Sequence, residues 1–526
     1  MSFSEPARMQ KSSGDAIIIL GCAVLFWIAA TVSLVFLWQS RNAPILDMHG
    51  FRQTQTAISA LWMCREGTII PYQTPVFGHP WFIPYEFPLY QALAAGLACL
   101  GLPLDLSGRV VSYACFVLLL LPVRLTIKAF RLPAYLFFLF GALYLSSPAY
   151  LFWGRAFLIE TTALFCCVTG ALLLILAAKG RHWLAVLGAT ACLTLGALVK
   201  GTTYPQCVAF GLAMAALVLH RDETLTWRKR LAFLSLLLAA SLVPVLATFL
   251  WVRFCDAIKQ AGLMSAIHTS RGLKPWYTPN LHLFLENIRL FPERIFRELV
   301  GNVWVASLCL PLALVGGLRL FGLNVLLAGC FFLPMLLFTR VHVVHNYYQV
   351  ANGVFLIAAV AVSLFALART RLKLLVPVAL TGCLAINYMF FHDHFYKIFH
   401  DTPTRADTRQ VLDFASALSD ASDTTGVVFV FGRDWSPEIP YYSGRKSVMF
   451  PYWLPRHILK AVLAEPAILT GPQPLQAILF CPNTTGGHLY YDRTVDAFLQ
   501  KYAAADQTLP VDGCTLYLHT PSRSTP

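Results

Sequence analysis

Long apolar runs separated by short basic clusters are the feature that most restricts how this chain of 526 residues can fold. The first run, residues 16–38, has no charged residue over about 23 positions, and a helix needs about 20 apolar residues to cross a bilayer. Hydrophobic residues make up 57% of the chain and the mean hydropathy is +0.62. A water-soluble core cannot enclose that much apolar surface. The sequence therefore predicts a polytopic α-helical membrane protein.

The basic clusters orient the runs, because lysine and arginine are enriched in cytoplasmic loops. Arg8 and Lys11 favour a cytoplasmic N-terminus, and the densest cluster lies within residues 220–230. The stretch 88–102 is too short to cross and is predicted to be juxtamembrane, because a crossing there would place Arg124 outside. About eleven spans are predicted, at 16–38, 110–127, 132–150, 157–178, 183–199, 203–219, 231–252, 303–318, 321–338, 346–368 and 374–391.

This topology divides the chain into a membrane domain, residues 1–391, and an external domain, residues 392–526. The loops 39–107 and 254–302 also lie outside. Within the first loop, residues 51–65 have one apolar stripe and are predicted to form an interfacial amphipathic helix.

The C-terminal region has the pattern of a small α/β domain. Residues 408–418 have helical spacing, and short runs at 427–431, 446–450 and 477–480 are typical of strands. Its two cysteines, Cys481 and Cys514, are predicted to lie in an oxidising compartment and to pair. The other twelve cysteines lie in or beside apolar runs and are expected to act as small apolar residues.

The net charge of +14 does not indicate nucleic-acid binding, since the basic residues orient apolar runs rather than line one soluble face. The partners expected are membrane lipids and substrates. Unusual polar residues instead collect outside, where the positive-inside rule depletes lysine and arginine. A polar cavity open to the outside explains this bias, with candidates Asp47, His49, Arg52, His79, Glu86, Arg155, Glu160, Lys200, Arg340, His342, His345, Asn346, Tyr347 and Tyr348.

Five segments carry these residues in a characteristic order. They are 47–52 (DMHGFR), 78–90 (GHPWFIPYEFPLY), 155–161 (RAFLIET), 199–201 (VKG) and 345–348 (HNYY). Their order and common face resemble the glycosyltransferase-C superfamily, in the branch of protein O-mannosyltransferases and bacterial aminoarabinose transferases. The resemblance covers residues 15–391. The Asp-Glu or Asp-x-Asp pair common in that superfamily is absent, because Met48 and His49 follow Asp47.

The resemblance implies transfer of a sugar from a polyprenyl-phosphate carrier to a lipid, glycan or protein acceptor, with inversion. The reaction would take place on the periplasmic face of the bacterial inner membrane. Asp47 is the candidate general base for the acceptor hydroxyl; its alternative role is a helix cap. The candidates for holding the donor phosphate are Lys200, Arg340 and His345. Those for binding substrate are Arg52, His79, Glu86, Arg155, Glu160, Tyr347 and Tyr348.

Several of these residues have alternative roles. Lys200 could be a helix-end lysine that reaches interfacial water. Glu160 could be the counter-ion of Arg155. The aromatic residues around Glu86 could form an interfacial belt. The loop 432–445 (GRDWSPEIPYYSGR) could recognise the acceptor or be a turn that packs its domain.

No cofactor is expected. His342 and His345 are spaced like metal ligands, but no carboxylate-rich set accompanies them, and the sequence leaves a divalent ion open. Two other classes compete with the transferase. A transporter or flippase for lipid-linked sugars would be expected to show inverted repeats and broken helices, which this sequence does not show. A polysaccharide ligase or polymerase would be expected to carry more arginine in its outer loops.

Overall fold

The computed structural model describes residues 13–482, 489–502 and 507–518. Within these ranges eight helices are long and apolar enough to cross a membrane. They are Asp15–Ser40, Leu104–Ala129, Glu160–Gly180, Gly201–Arg221, Trp227–Lys259, Leu318–Leu337, Asn346–Ala368 and Leu375–Thr404. Each contains or overlaps one of the predicted spans, so the polytopic helical fold is confirmed.

The other three predicted spans are shorter helices. The third is divided into Ala134–Ser146 and Pro148–Trp153, the fifth is Trp183–Val199, and the eighth is divided into Val303–Ser307 and Cys309–Val315. Pro148 explains the first break, because proline lacks a backbone N–H and clashes with the preceding turn. The stretch 88–102 forms only Leu89–Cys99, as expected for a segment that does not cross.

Two compact units make up the chain. We call the first the helical unit; it comprises the residues up to Arg41, Arg109–Thr248 and Pro275–Lys397. The second, the sheet unit, comprises Asn42–Gly108, Phe249–Lys274 and the residues from Ile398 onward. The segment predicted as the first external loop thus groups with the C-terminal region.

Glu160–Gly180 and Asn346–Ala368 are the most enclosed long helices of the helical unit. One buried polar side chain between its helices, Asn324, donates hydrogen bonds to the carbonyls of Cys309 and Ala359, both at 3.1 Å. Such pairing matters, because an unsatisfied amide is costly in an apolar interior. Shorter helices of this unit are Leu281–Glu286, the π-helix Phe291–Phe296, Arg297–Val300, Thr339–Val344 and the 3₁₀ turn Asn346–Gln349.

In the sheet unit, the predicted helix of the first loop is present as Gly50–Glu66. The prediction of an interfacial helix is wrong, because its polar side is buried too, including Gln53, Thr54 and Ser59. Cys64 forms a disulfide with Cys99, so these two cysteines link helices and are not simply apolar. Other helices of this unit are Ser270–Leu273, Ala406–Ala421, Glu438–Ser443, Arg456–Ala464, Ala467–Thr470 and Leu489–Tyr502.

A five-stranded sheet forms the C-terminal part of this unit, in the order β2-β1-β3-β5-β4. Its strands are β1 Val427–Phe431, β2 Lys446–Phe450, β3 Leu475–Phe480, β4 Gln507–Val511 and β5 Cys514–Leu518. β1 is parallel to both β2 and β3, whereas β5 is antiparallel to its neighbours. The three predicted strands and the helix Ala406–Ala421 are confirmed. The predicted disulfide between Cys481 and Cys514 is also present.

Candidate active site

Lys200 and Glu160 form a buried ion pair at the centre of the polar cluster in the helical unit. Glu160 opens the helix Glu160–Gly180, where the helix dipole favours an acid. Lys200 follows the last turn of Trp183–Val199, and its Nζ contacts Glu160 Oε1. Their side chains are 7% and 1% exposed. The alternative of a lysine extended into interfacial water is therefore wrong.

Aromatic rings cover the Lys200 ammonium group. Its Nζ lies 3.7 Å from the ring centroid of Tyr348 and 5.1 Å from that of Tyr347. The His345 ring stacks on both tyrosines, with centroids 5.3 and 6.0 Å apart. Cation–π attraction is stronger where water is excluded. The structure thus brings together Lys200, Glu160, His345, Tyr347 and Tyr348.

Arg340 joins this cluster through a tryptophan. Its Cζ lies 4.6 Å from the ring centroid of Trp276, which stacks on His345 at 6.0 Å. Arg340 is exposed, whereas Lys200 is buried. One aromatic stack therefore carries a buried cation and an accessible one.

Arg155 is buried in the same unit but does not pair with Glu160. Its guanidinium carbon lies 4.5 Å from the Phe152 ring and 5.0 Å from the Phe36 ring. Glu160 is bound to Lys200 instead. The alternative that Glu160 is the counter-ion of Arg155 is therefore wrong.

Two residues that the sequence reasoning missed hold the segment bearing His345 and the tyrosines. Arg294 donates hydrogen bonds to the carbonyls of His342 and Val343, at 2.9 and 3.0 Å. Glu298 Oε1 accepts a hydrogen bond from Asn346 Nδ2 at 3.4 Å. Their spacing of four residues within a helix was the available signal, since such pairs share a helix face.

Burial changes the protonation of two groups beside this segment. It raises the pKa of Glu298 to about 7 and lowers the pKa of His342 to about 3. His342 is therefore neutral near pH 7 and adds no positive charge to the cluster.

Asp47 lies in the sheet unit, at the approach to Gly50–Glu66. It is 5% exposed, and Gln53 Nε2 donates to its Oδ1. The N-cap position of the helix is occupied by His49, which has a left-handed backbone with φ 55°. The capping alternative for Asp47 is therefore wrong, and its predicted role as a base stays a prediction.

Arg52 and Glu86, two predicted substrate-binding residues, pair with each other in the sheet unit. The distance from Arg52 Nη2 to Glu86 Oε1 is 3.2 Å. Gln91 also donates to that oxygen at 2.9 Å, and Tyr72 OH donates to the Glu86 carbonyl at 3.0 Å. This network fixes the Glu86 backbone as well as its side chain.

His79 lines a separate cavity of about 600 Å³ in the sheet unit, together with Pro80, residues 260–263 and Ile468. Its backbone N–H donates to the Leu469 carbonyl at 2.7 Å. The structure thus places His79 against the C-terminal region. Among the described residues, no group of three or more His, Cys, Asp or Glu side chains is arranged to hold a metal ion.

The cluster of Lys200, Glu160, His345, Tyr347 and Tyr348 in the helical unit can bind an anion beside an aromatic ring. Buried cations stabilise phosphate charge best where water is excluded, and aromatic faces pack against the C–H faces of sugars.

The chain matches no family model and no curated protein. Solved structures similar to it include ArnT from Cupriavidus metallidurans bound to undecaprenyl phosphate, and the same protein in the apo state. Each has a TM-score of 0.61 at 13% identity, covering 95% of this chain and 98% of the other. At this identity the likeness shows a common fold.

Proposed function

We propose that this protein transfers a sugar from a polyprenyl-phosphate donor to an acceptor, with inversion at the anomeric carbon. The observation that carries the proposal is the buried Lys200 ammonium group, held by Glu160 and covered by Tyr348 in a glycosyltransferase-C fold. The likeness to a structure bound to undecaprenyl phosphate supports a donor of that chemical class. The acceptor is a lipid, a glycan or a protein.

In the proposed reaction, an acceptor hydroxyl attacks the anomeric carbon and its proton passes to Asp47. The new bond joins the acceptor oxygen to the sugar, and the bond between the anomeric carbon and the phosphate oxygen breaks. Its electron pair leaves with the carrier phosphate. The Asp47 carboxylate is largely shielded from water, and Gln53 fixes one of its oxygens. A positioned base of this kind contributes about 10²–10⁴-fold.

Lys200 is the proposed partner of the leaving phosphate. When a donor binds, its phosphate competes with Glu160 for the ammonium group. Arg340 is exposed and can meet the donor first. His345 is a further proposed ligand of the donor phosphate. Tyr347 and Tyr348 are proposed to bind the sugar. Arg155 and the Arg52–Glu86 pair are proposed to bind substrate, and His79 is proposed to do so from its own cavity.

The proposed location is the bacterial inner membrane, with the sheet unit in the periplasm. Two disulfides, Cys64–Cys99 and Cys481–Cys514, both lie in that unit. Disulfides persist in oxidising compartments such as the periplasm, which supports this orientation.

The test is to incubate the purified protein with a panel of polyprenyl-phosphate sugars and a lipid, glycan or protein acceptor, and to measure release of polyprenyl phosphate. We expect one donor to lose its sugar, and Lys200→Ala to slow the release. Proteoliposomes loaded with the same donors test the flippase alternative, because they allow movement of the donor across the membrane to be measured. Movement of intact donors across the membrane, with no sugar released, would contradict the transferase and favour a flippase.

A further inference from the structure

The carboxyl ends of the parallel strands in the sheet unit present a surface that the proposed reaction does not use. β1 lies between β2 and β3, so the chain leaves β1 in one direction and later returns on its other side. In open α/β sheets, ligands bind outside the carboxyl ends of the strands at such a switch point. We call residues 432–435 and 451–453, which follow β1 and β2, the carboxyl edge.

Hydrogen bonds join the two loops of the carboxyl edge. Trp453 Nε1 donates to Asp434 Oδ1 at 3.0 Å, and Tyr452 OH donates to the Gly432 carbonyl at 2.9 Å. Gly432 has φ +80°, and a Cβ there would collide with the Cys481 carbonyl. These loops are therefore built into one surface rather than left independent.

An exposed indole lies beside an exposed carboxylate on this surface. Trp453 is 47% exposed, and its N–H bond to Asp434 fixes the position of the ring. Asp434 Oδ1 also accepts the Trp435 backbone N–H at 2.8 Å. Its Oδ2 accepts no hydrogen bond from the described residues, and the side chain is exposed. A ligand hydroxyl can therefore donate to it.

Further aromatic rings pack near the Trp453 indole. The buried His268 ring lies 4.6 Å from Trp435 and 6.0 Å from Trp453, between centroids. Trp435 in turn packs against Phe77 at 5.3 Å and Phe51 at 4.6 Å. Rings held in this way lose little conformational entropy when a ligand binds.

The charges at the carboxyl edge select the ligand class. Asp434 repels a phosphate, and the adjacent Arg433 donates to Gln410 and lies 4.9 Å from the Phe414 ring. An apolar ring face next to a hydroxyl acceptor is complementary to a neutral sugar ring. A pyranose has C–H faces that pack on indole and hydroxyls that donate to carboxylates.

We propose that the carboxyl edge binds a neutral sugar of a glycan-bearing acceptor, with the ring on Trp453 and a hydroxyl donating to Asp434. This inference rests on the proposed function, because it names the acceptor class of the transfer. Trp453 and Asp434 are binding residues here and take no part in bond making.

The experiment measures binding of soluble β-linked glucose and N-acetylglucosamine trisaccharides to the full-length protein in detergent, by saturation-transfer NMR and calorimetry. We expect Trp453→Ala to weaken binding by about 10-fold or more, the equivalent of one lost aromatic contact. Trp453→Phe should recover part of the affinity because a ring remains. Asp434→Asn should weaken binding while keeping an acceptor for the indole.

The matched control is Trp304→Ala, since Trp304 is 72% exposed and lies in the helical unit. This variant should bind as the wild type does. Equal affinity of Trp453→Ala and the wild type, or no binding of either sugar by the wild type, would overturn the inference. If the wild type bound sugars but released carrier phosphate from no donor, the transferase would fail while the sugar site would stand. If the wild type released carrier phosphate but bound neither sugar, the transferase would stand and the sugar site would fail.

Discussion

Replacing Lys200 by methionine leaves the Glu160 carboxylate, 1% exposed, without the cation that neutralises it. Breaking a buried ion pair by removing one partner typically costs about 3–5 kcal/mol, because an uncompensated charge stays buried. Glu160→Gln creates the opposite defect, because the buried Lys200 ammonium group loses the carboxylate that it contacts. We expect both single variants to unfold at markedly lower temperature in detergent than the wild type.

The double variant, Lys200→Met with Glu160→Gln, separates stability from function. Both charges are then absent, and replacing a buried pair by neutral groups of similar volume is often close to neutral. We expect its midpoint of thermal unfolding to return towards that of the wild type. A donor phosphate would still lack its cation, a loss of about 1.5–3 kcal/mol for a charge-assisted contact, or about 10- to 150-fold in affinity.

The assay compares a polyprenyl-phosphate ligand with the corresponding polyprenol, which has no phosphate, for each of the four proteins. We expect the variants that lack Lys200 to lose preference for the phosphate-bearing lipid, while affinity for the alcohol stays unchanged. If the double variant regained both stability and phosphate preference, the pair would be purely structural and the assigned role of Lys200 would be refuted.

Three further outcomes are expected. Asp47→Asn should lower single-turnover transfer by about 10²-fold or more, because the amide cannot accept the acceptor's proton; turnover near that of the wild type would reject Asp47 as the base. Burial raises the pKa of Glu298 from its usual 4.5 to about 7. Between these two pH values the native state keeps a proton that the unfolded state releases. The free energy of unfolding should therefore fall by about 3 kcal/mol from pH 4.5 to pH 7 and level off above pH 7. Thermal scans of Glu298→Gln should lack this loss of stability with rising pH. An equally steep loss in the variant would contradict the assignment to Glu298. Finally, a thiol reagent that cannot cross membranes should label Cys481 and Cys514 in spheroplasts only after reduction, and failure to label them even then would place the sheet unit on the cytoplasmic face.

The elements that the sequence predicted well are those set by local pattern. Apolar length alone identified residues 16–38 and 346–368, and a β-branched and aromatic run identified β1. β4 was missed because Gln507–Val511 includes Pro510 and lacks a clear alternation. Its pairing with β5 is a tertiary contact.

The candidate site was predictable where one polar residue interrupts an apolar run, as at Lys200 and Glu160. Their mutual pairing was not, because forty residues separate them in the chain. Arg294 and Glu298 escaped notice for a related reason. Both lie in short helices within the predicted outer loop 254–302, where burial is decided by the partner segment at His342–Asn346 rather than by neighbouring residues.

The composition of the sheet unit has a consequence for how a cell produces this protein. The unit combines Asn42–Gly108 with Phe249–Lys274 and the chain beyond Ile398. Roughly 400 residues lie between the end of its first segment and β5, and at about 5–20 residues per second a ribosome needs about 20–80 s to synthesise them.

During that interval the first segment has been made but its packing partners have not. Its helix Gly50–Glu66 is buried on both its apolar and polar sides in the finished protein. Before β1 to β5 exist, those surfaces are open to proteases and chaperones. A premature stop codon between residues 405 and 507 removes β4 and β5 and should therefore lead to degradation of the whole nascent chain, even though every described membrane-spanning helix has already been translated.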